Sequence, residues 1–120
     1  PKYLKAELDP NRIGQVVTNL CTNAIKHTDK GKIKLSLTEE DGYAIITVED
    51  SGPGIPEPLR EKIFEPFYQI DPERRGGLGL GLAISKRLVE LHGGWIEVGD
   101  GEDGGARFRV KLPRWKDGSG

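Results

Sequence analysis

The sequence predicts an α/β sandwich: a mixed, mainly antiparallel five-stranded sheet with helices packed on one face. Three observations predict it. Two stretches, about 10–28 and 82–91, carry apolar residues at three- and four-residue spacing, the mark of amphipathic helices. Two pairs of alternating apolar and polar stretches are each joined by a short turn rich in Gly and Asp. No regular strand–helix–strand pattern links the strands, so hairpins dominate. Residues 1–113 read as one domain and 114–120 as a C-terminal tail closed by the linker-like Asp117-Gly118-Ser119-Gly120.

Each element has its own justification. Residues 2–8 read as a first strand. Asp9-Pro10 follows as an N-cap with proline at the first helical position. Ile13, Val16, Val17, Leu20 and Ala24 then build one apolar face, and Gly31 ends the segment. Ile33, Leu35 and Leu37 alternate with polar residues, Asp41-Gly42 is a hairpin turn signal, and Ala44, Ile46 and Val48 share one face of the next strand. Gly52, Pro53, Gly54 and Pro56 punctuate a loop, and 58–64 reads as a short helix. From Gln69 to Leu80 there is no period, so a mobile segment is expected. The 82–91 helix closes at Gly93-Gly94, with His92 as its cap. Trp95 to Val98 and Ala106 to Leu112 make the second hairpin, with Ala106, Phe108, Val110 and Leu112 facing one way.

Composition narrows the function. Hydrophobic residues make up 35% and charged residues 31% of 120, as expected of a soluble single domain. Eighteen Lys and Arg against nineteen Asp and Glu leave no charge excess to hold nucleic acid or a membrane surface. No apolar run approaches the roughly 20 residues of a membrane span. Cys21 is alone, which fits a reducing, cytoplasmic setting, and one Cys with two His offers no zinc spacing. The chain has no Met and starts at Pro1, so it is expected to be a fragment of a longer protein.

Three stretches carry chemistry. At about 100° per residue, Gln15, Asn19, Asn23 and Lys26 fall on one stripe of the first helix, with His27 at its edge. A solvated polar face fits this stripe. So does a site, because amide oxygens are hard neutral ligands suited to Mg²⁺ and a lysine suits the phosphates that complete its shell. Asp50 sits at the end of a buried strand, followed by Gly52 and Gly54. It either makes an Asx-type bond to its own backbone or accepts from the amino group of a base. Gly76, Gly77, Gly79 and Gly81 directly precede a helix. This run is either a flexible loop or a backbone that must pass close to phosphate.

Together NLCTNAIKHT, DSGPGI, FEPFYQ and GGLGLGLAISKRLVELHGG, in this order, resemble the four boxes of the ATP-binding catalytic domain of sensor histidine kinases. The resemblance runs from about Leu8 to Pro113. It implies the Bergerat α/β sandwich with a mobile ATP lid, and it implies ATP and Mg²⁺ as cofactors. By resemblance Asn23 is the Mg²⁺ ligand, Asn19 its companion and Lys26 a phosphate contact, these three forming the catalytic set. His27 lies near the sugar or base, or is a cation at the helix end. Asp50 reads the adenine, with Gly52, Gly54 and Ile55 shaping that pocket. Phe64 and Phe67 match the phenylalanine box, or are plain core aromatics. Gly77, Leu78, Gly79, Leu80, Gly81 and Leu82 form the glycine box that approaches the phosphates.

Three positions depart from the family pattern. Leu78 stands where a hydroxyl is common, so only backbone contacts to phosphate are expected there. Gln69 stands where an arginine is common, and Arg74 or Arg75 is expected to supply the cation. Ala106 replaces a common Thr, so the adenine network is expected to lean on water. Gyrase-type relatives carry a glutamate base at the position of Asn19, and an amide cannot be that base. Transfer of the γ-phosphoryl group to a histidine is therefore expected rather than hydrolysis. Neither His27 nor His92 has the setting of a phosphoacceptor. The implied partners are a dimeric phosphoacceptor domain of the same parent protein and a response regulator downstream. A related serine protein kinase, or an interaction module without transfer, are the alternatives.

Overall fold

The computed structural model describes residues 10–27, 31–68, 81–102 and 104–113, with Pro10 and His27 described by backbone alone. Helix α1 spans Pro10–His27, strands β1 and β2 span Ile33–Glu40 and Tyr43–Asp50, and α2 spans Gly81–Leu91. Strands β3 and β4 span Trp95–Asp100 and Ala106–Pro113. Proline opens α1 as its fixed φ favours. The β1–β2 turn has left-handed φ at both Asp41 (49°) and Gly42 (83°), the turn an Asp-Gly pair favours in a two-residue hairpin. The short helix expected over 58–64 is two separate 3₁₀ turns, Glu57–Leu59 and Lys62–Phe64. Helix α2 ends as anticipated: Gly94 N–H donates to Val89 C=O and Gly93 N–H to Glu90 C=O, each at 3.0 Å, which satisfies the last-turn carbonyls.

The strands lie in the order β1-β2-β4-β3. The sequence predicts five strands in a mixed sheet. The described residues hold four, and every neighbouring pair is antiparallel. The fifth expected strand, 2–8, lies outside the described residues, as does the expected mobile lid, 69–80. Among the described residues the all-antiparallel pairing has a topological reason. Strands β2 and β3 run in the same direction, joined through α2, but β4 inserts between them and is antiparallel to both.

The two helices lie on one face of the sheet. Ile13, Val16, Leu20 and Ala24 of α1 and Val89 of α2 meet Val48, Phe108, Val110 and Leu112 in one buried cluster. Burying a side chain of this kind contributes about 1.5–3 kcal/mol. The register explains which residues take part: Val48 lies opposite Phe108, which lies opposite Val98, so these three share the helix face. Leu35 and Leu37 of β1 lie opposite Val48 and Ile46 on that same face, yet are 56% and 54% exposed. No described element covers them.

The outer face is a lattice of charges. Arg109 pairs with Glu40 at 3.2 Å and Lys111 with Glu97 at 3.3 Å. Tyr43 meets the edge of Trp95, with ring centroids 5.0 Å apart. Ile45 lies on this face by register but is only 1% exposed, against the simple inside–outside alternation. It stands opposite Lys111, whose ammonium lies over the Trp95 ring, and a long aliphatic stem beside it is the kind of side chain that covers an apolar neighbour.

Candidate functional site

Asp50 continues the inward series Ala44, Ile46, Val48 and is 5% exposed. Its Oδ1 accepts from the Gly52 N–H at 2.9 Å and from the Ala106 N–H at 3.2 Å. The first bond is the local Asx-type contact that the sequence allows. The second arrives from 56 residues away and makes the carboxylate part of the tertiary structure. Both bonds use one oxygen. Among the described residues Oδ2 has no hydrogen-bond partner, so half of the carboxylate's accepting capacity is unused by the fold.

The turn between β3 and β4 fixes this arrangement. A Cβ on Gly105 would stand 2.0 Å from the Asp50 carbonyl oxygen and 2.6 Å from its Oδ1. Only glycine allows that approach. On the other face of β2, Glu49 holds the same turn. Its Oε2 accepts from the Glu102 N–H at 2.6 Å and its Oε1 from Arg107 Nε at 2.9 Å. The Glu102 N–H, then Arg107, hold the Glu49 carboxyl below its usual range against the opposing effect of burial. The hydrogen bond from Glu49 raises Arg107 in turn. Consecutive residues thus grip one turn from both sides of the sheet.

The loop after Asp50 is pinned at several points. Lys32 N–H donates to Ser51 Oγ at 2.8 Å, and Ser51 N–H donates to Lys32 C=O at 3.1 Å. Gly54 has φ +78°, and a Cβ there would lie 2.9 Å from Gly104 C=O, so the loop and the turn are in close contact. Arg60 Nε donates to Ile55 C=O at 3.0 Å, while its Nη2 donates to Asp100 Oδ1 at 2.6 Å. Ile55 packs against the core. The phenylalanine pair divides. Phe64 meets Phe108 edge-on with centroids 6.3 Å apart, as a core aromatic does. Phe67 is 68% exposed with φ +68°, rare for a bulky residue, and sits at the border of the undescribed segment.

On α1, Asn19, Asn23 and Lys26 are half-buried while Gln15 is exposed, so the polar stripe is not simply a solvated face. Asn19 Nδ2 donates to Gly81 C=O at 3.3 Å and to Ser85 Oγ at 3.2 Å. This joins the first helix to the opening of the second, where Leu82 packs on the core. The expected site residues Arg74, Arg75, Gly77, Leu78, Gly79 and Leu80 lie outside the described residues, and of His27 only the backbone is described. Sequence reasoning missed Glu49, Arg60 and Ser85. The Glu49–Arg107 pair was within reach, because the two stand directly opposite once β2 and β4 are paired. Nothing local marks Arg60.

The geometry has a known frame. Residues 8–116 match the model of the histidine kinase-, DNA gyrase B- and HSP90-like ATPases. Sensor histidine kinase TmoS of Ectopseudomonas mendocina is 48% identical over 118 residues, 94% of this chain and 12% of its own length. Sensor histidine kinase WalK of Bacillus subtilis is 39% identical over 116 residues, 92% of this chain and 19% of its own. The chain therefore spans a small part of these relatives. The catalytic domain of histidine kinase ThkA superposes with TM-score 0.80 at 40% identity, over 91% of this chain and 70% of that one. Full-length ShkA in complex with AMPPNP superposes with TM-score 0.79 at 38% identity, over 88% of this chain and 22% of that one. The chain belongs to the histidine kinase-, DNA gyrase B- and HSP90-like ATPases, and within them to the catalytic domains of histidine kinases.

Proposed function

We propose that this chain binds Mg-ATP and donates the γ-phosphoryl group to a histidine on a separate, dimeric domain of the same parent protein, for onward passage to a response regulator. The observation that carries the nucleotide reading is Asp50, with Oδ1 fixed by two backbone N–H groups and Oδ2 left for an exocyclic amine. Gly52, Gly54 and Ile55 wall the base. The similarity to a kinase solved with AMPPNP supports the same ligand class.

Magnesium fits the donor set. Asn19 and Asn23 lie one turn apart on a half-buried stripe, and an amide oxygen is a hard ligand for a cation that keeps waters and phosphates as its other partners. When bound, Mg²⁺ neutralises charge on the β- and γ-phosphates. Lys26 adds a point charge, and the glycine box 77–82, with Arg74 or Arg75, supplies backbone donors and a further cation. In the reaction a histidine nitrogen bonds to the γ-phosphorus, the bond to the β–γ bridging oxygen breaks, and ADP leaves. Asn19 cannot act as a base toward water, which favours transfer over hydrolysis. The domain works in the cytoplasm.

The test is calorimetric titration with Mg-ATP, followed by transfer to a supplied phosphoacceptor domain. Saturable binding without continuing heat is expected, as is loss of Mg²⁺-dependent transfer in Asn23→Ala with the fold retained. Sustained heat means water is an acceptor, and transfer by Asn23→Ala removes the magnesium assignment.

A further inference from the structure

Ser85 is fully buried in α2, and its hydroxyl faces Asn19 across the helix interface. A polar group at 0% exposure is costly unless it is bonded, and its bond here comes from an amide on another element. The Asn19 carboxamide could be turned either way in principle, but Gly81 C=O only accepts. The amide nitrogen must face it, and that nitrogen has two hydrogens. One goes to Gly81 C=O and one to Ser85 Oγ. Asn19 therefore has no N–H left to give a phosphate. What remains is its oxygen, which repels phosphate oxygens and attracts a cation or the water bound to one.

We propose that Ser85 is a positioning residue of the nucleotide site: with Gly81 C=O it holds the Asn19 amide so that the Asn19 oxygen serves the magnesium and not the phosphates. This rests on the Mg-ATP reading above. It separates the two asparagine-stripe functions by chemistry. Asn19 contributes only when the cation is present, whereas Lys26 contributes to the phosphates whether or not it is. The clasp also sets the first turn of α2, whose leading residue Gly81 belongs to the glycine box.

The chain and its Ser85→Ala variant are titrated with ATP by calorimetry, once with Mg²⁺ and once with EDTA. Losing one hydrogen bond predicts about five- to tenfold weaker Mg-ATP binding, with metal-free ATP changed by less than about twofold. Equal losses in both conditions mean that Ser85 is merely structural, and no loss in either means it positions nothing. Either result overturns the proposal. A cycle with Asn19→Ala provides a second readout. Ser85→Ala adds nothing on the Asn19→Ala background if it acts through Asn19, and additive losses refute that. Thermal melts accompany each variant. If Ser85→Ala does not fold, Ser85→Cys, close in size with a weaker acceptor, is expected to show the same magnesium-selective loss, smaller in extent. If the unmodified chain binds no ATP in either condition, the nucleotide reading itself fails and takes this inference with it.

Discussion

Gly105 lies against Asp50 so closely that a Cβ would stand 2.0 Å from the Asp50 carbonyl oxygen. This contact brings the β3–β4 turn onto the end of β2 and delivers the Ala106 N–H to the Asp50 carboxylate. Gly105→Ala forces backbone against backbone, with no flexible side chain to yield. The expected cost is about 1–3 kcal/mol or more in stability. Urea denaturation measures it, and ATP titration is expected to show weakened binding at temperatures where the variant is still folded. A variant with unchanged midpoint would mean that the turn can move away freely.

Asp50→Asn separates the two oxygens of that carboxylate. The amide oxygen can take both backbone N–H groups, which puts an NH₂ where Oδ2 stood. That donor then meets the donor of an adenine amino group. Affinity for ATP is expected to fall at least about tenfold, or about 1.4 kcal/mol, with little change in melting temperature. Calorimetric titration reads the first and circular dichroism the second. Undiminished affinity would remove Asp50 from base recognition.

Glu49 makes an acid-sensitive contribution. Its carboxyl is held below the ordinary value of 4.5 in the folded chain, chiefly by the Glu102 N–H and then by Arg107. A lowered folded value gives stability that is complete above the unfolded value and lost as pH falls through the folded one. The stability difference between the chain and Glu49→Gln is thus expected to be about 1–2 kcal/mol at neutral pH, a charged hydrogen bond's worth. It should shrink toward zero on acidification. Denaturant titrations in steps from neutral into the acid range check this, and a difference that grows toward acid contradicts it. Glu97 shares the direction: burial opposes it, but hydrogen bonds from Trp95 and Lys111 and the charges of Lys111 and Arg109 outweigh burial.

Phe108 is 2% exposed and meets Phe64 edge-on at the centre of the core. Phe108→Ala is expected to cost about 3–5 kcal/mol, a large part of the roughly 5–15 kcal/mol that holds a domain together. Phe64→Ala, at a half-buried position, is expected to cost less. Chemical denaturation of both variants tests the order.

Much of the fold was legible because its elements obey short-range rules. Apolar spacing located α1 and α2, Asp41-Gly42 marked its hairpin, and the alternation of Ala106, Phe108, Val110 and Leu112 matches their burial. What escaped depends on partners far apart in the chain. That β4 separates β2 from β3 among the described strands is a fact of three-dimensional order, which no local pattern carries. Ile45 escaped because its neighbour across the sheet, Lys111, is distant in sequence. For the site, Asp50 could be singled out from its strand end and its glycines, but not the assignment of its two oxygens. The asparagine stripe was visible at helical spacing. That the Asn19 nitrogen belongs to α2 was not, since Gly81 and Ser85 lie 62 and 66 residues away.

Strand β4 fills the middle of the sheet, although it is the last strand in order along the chain. Its pairing with β2 spans 58 residues at Glu49 and Arg107. During synthesis the β1–β2 hairpin can form early on the ribosome, but the edge of β2 that faces β4 stays unpaired until 106–113 emerge. That nascent intermediate carries an unpaired hydrophobic strand edge, the feature that recruits other chains. A histidine kinase catalytic domain built this way closes its sheet, and the Ala106 bond to Asp50 with it, in one late step. Stalled or shortened translation products ending before 106 are accordingly expected to be sticky, chaperone-bound and unable to take up nucleotide.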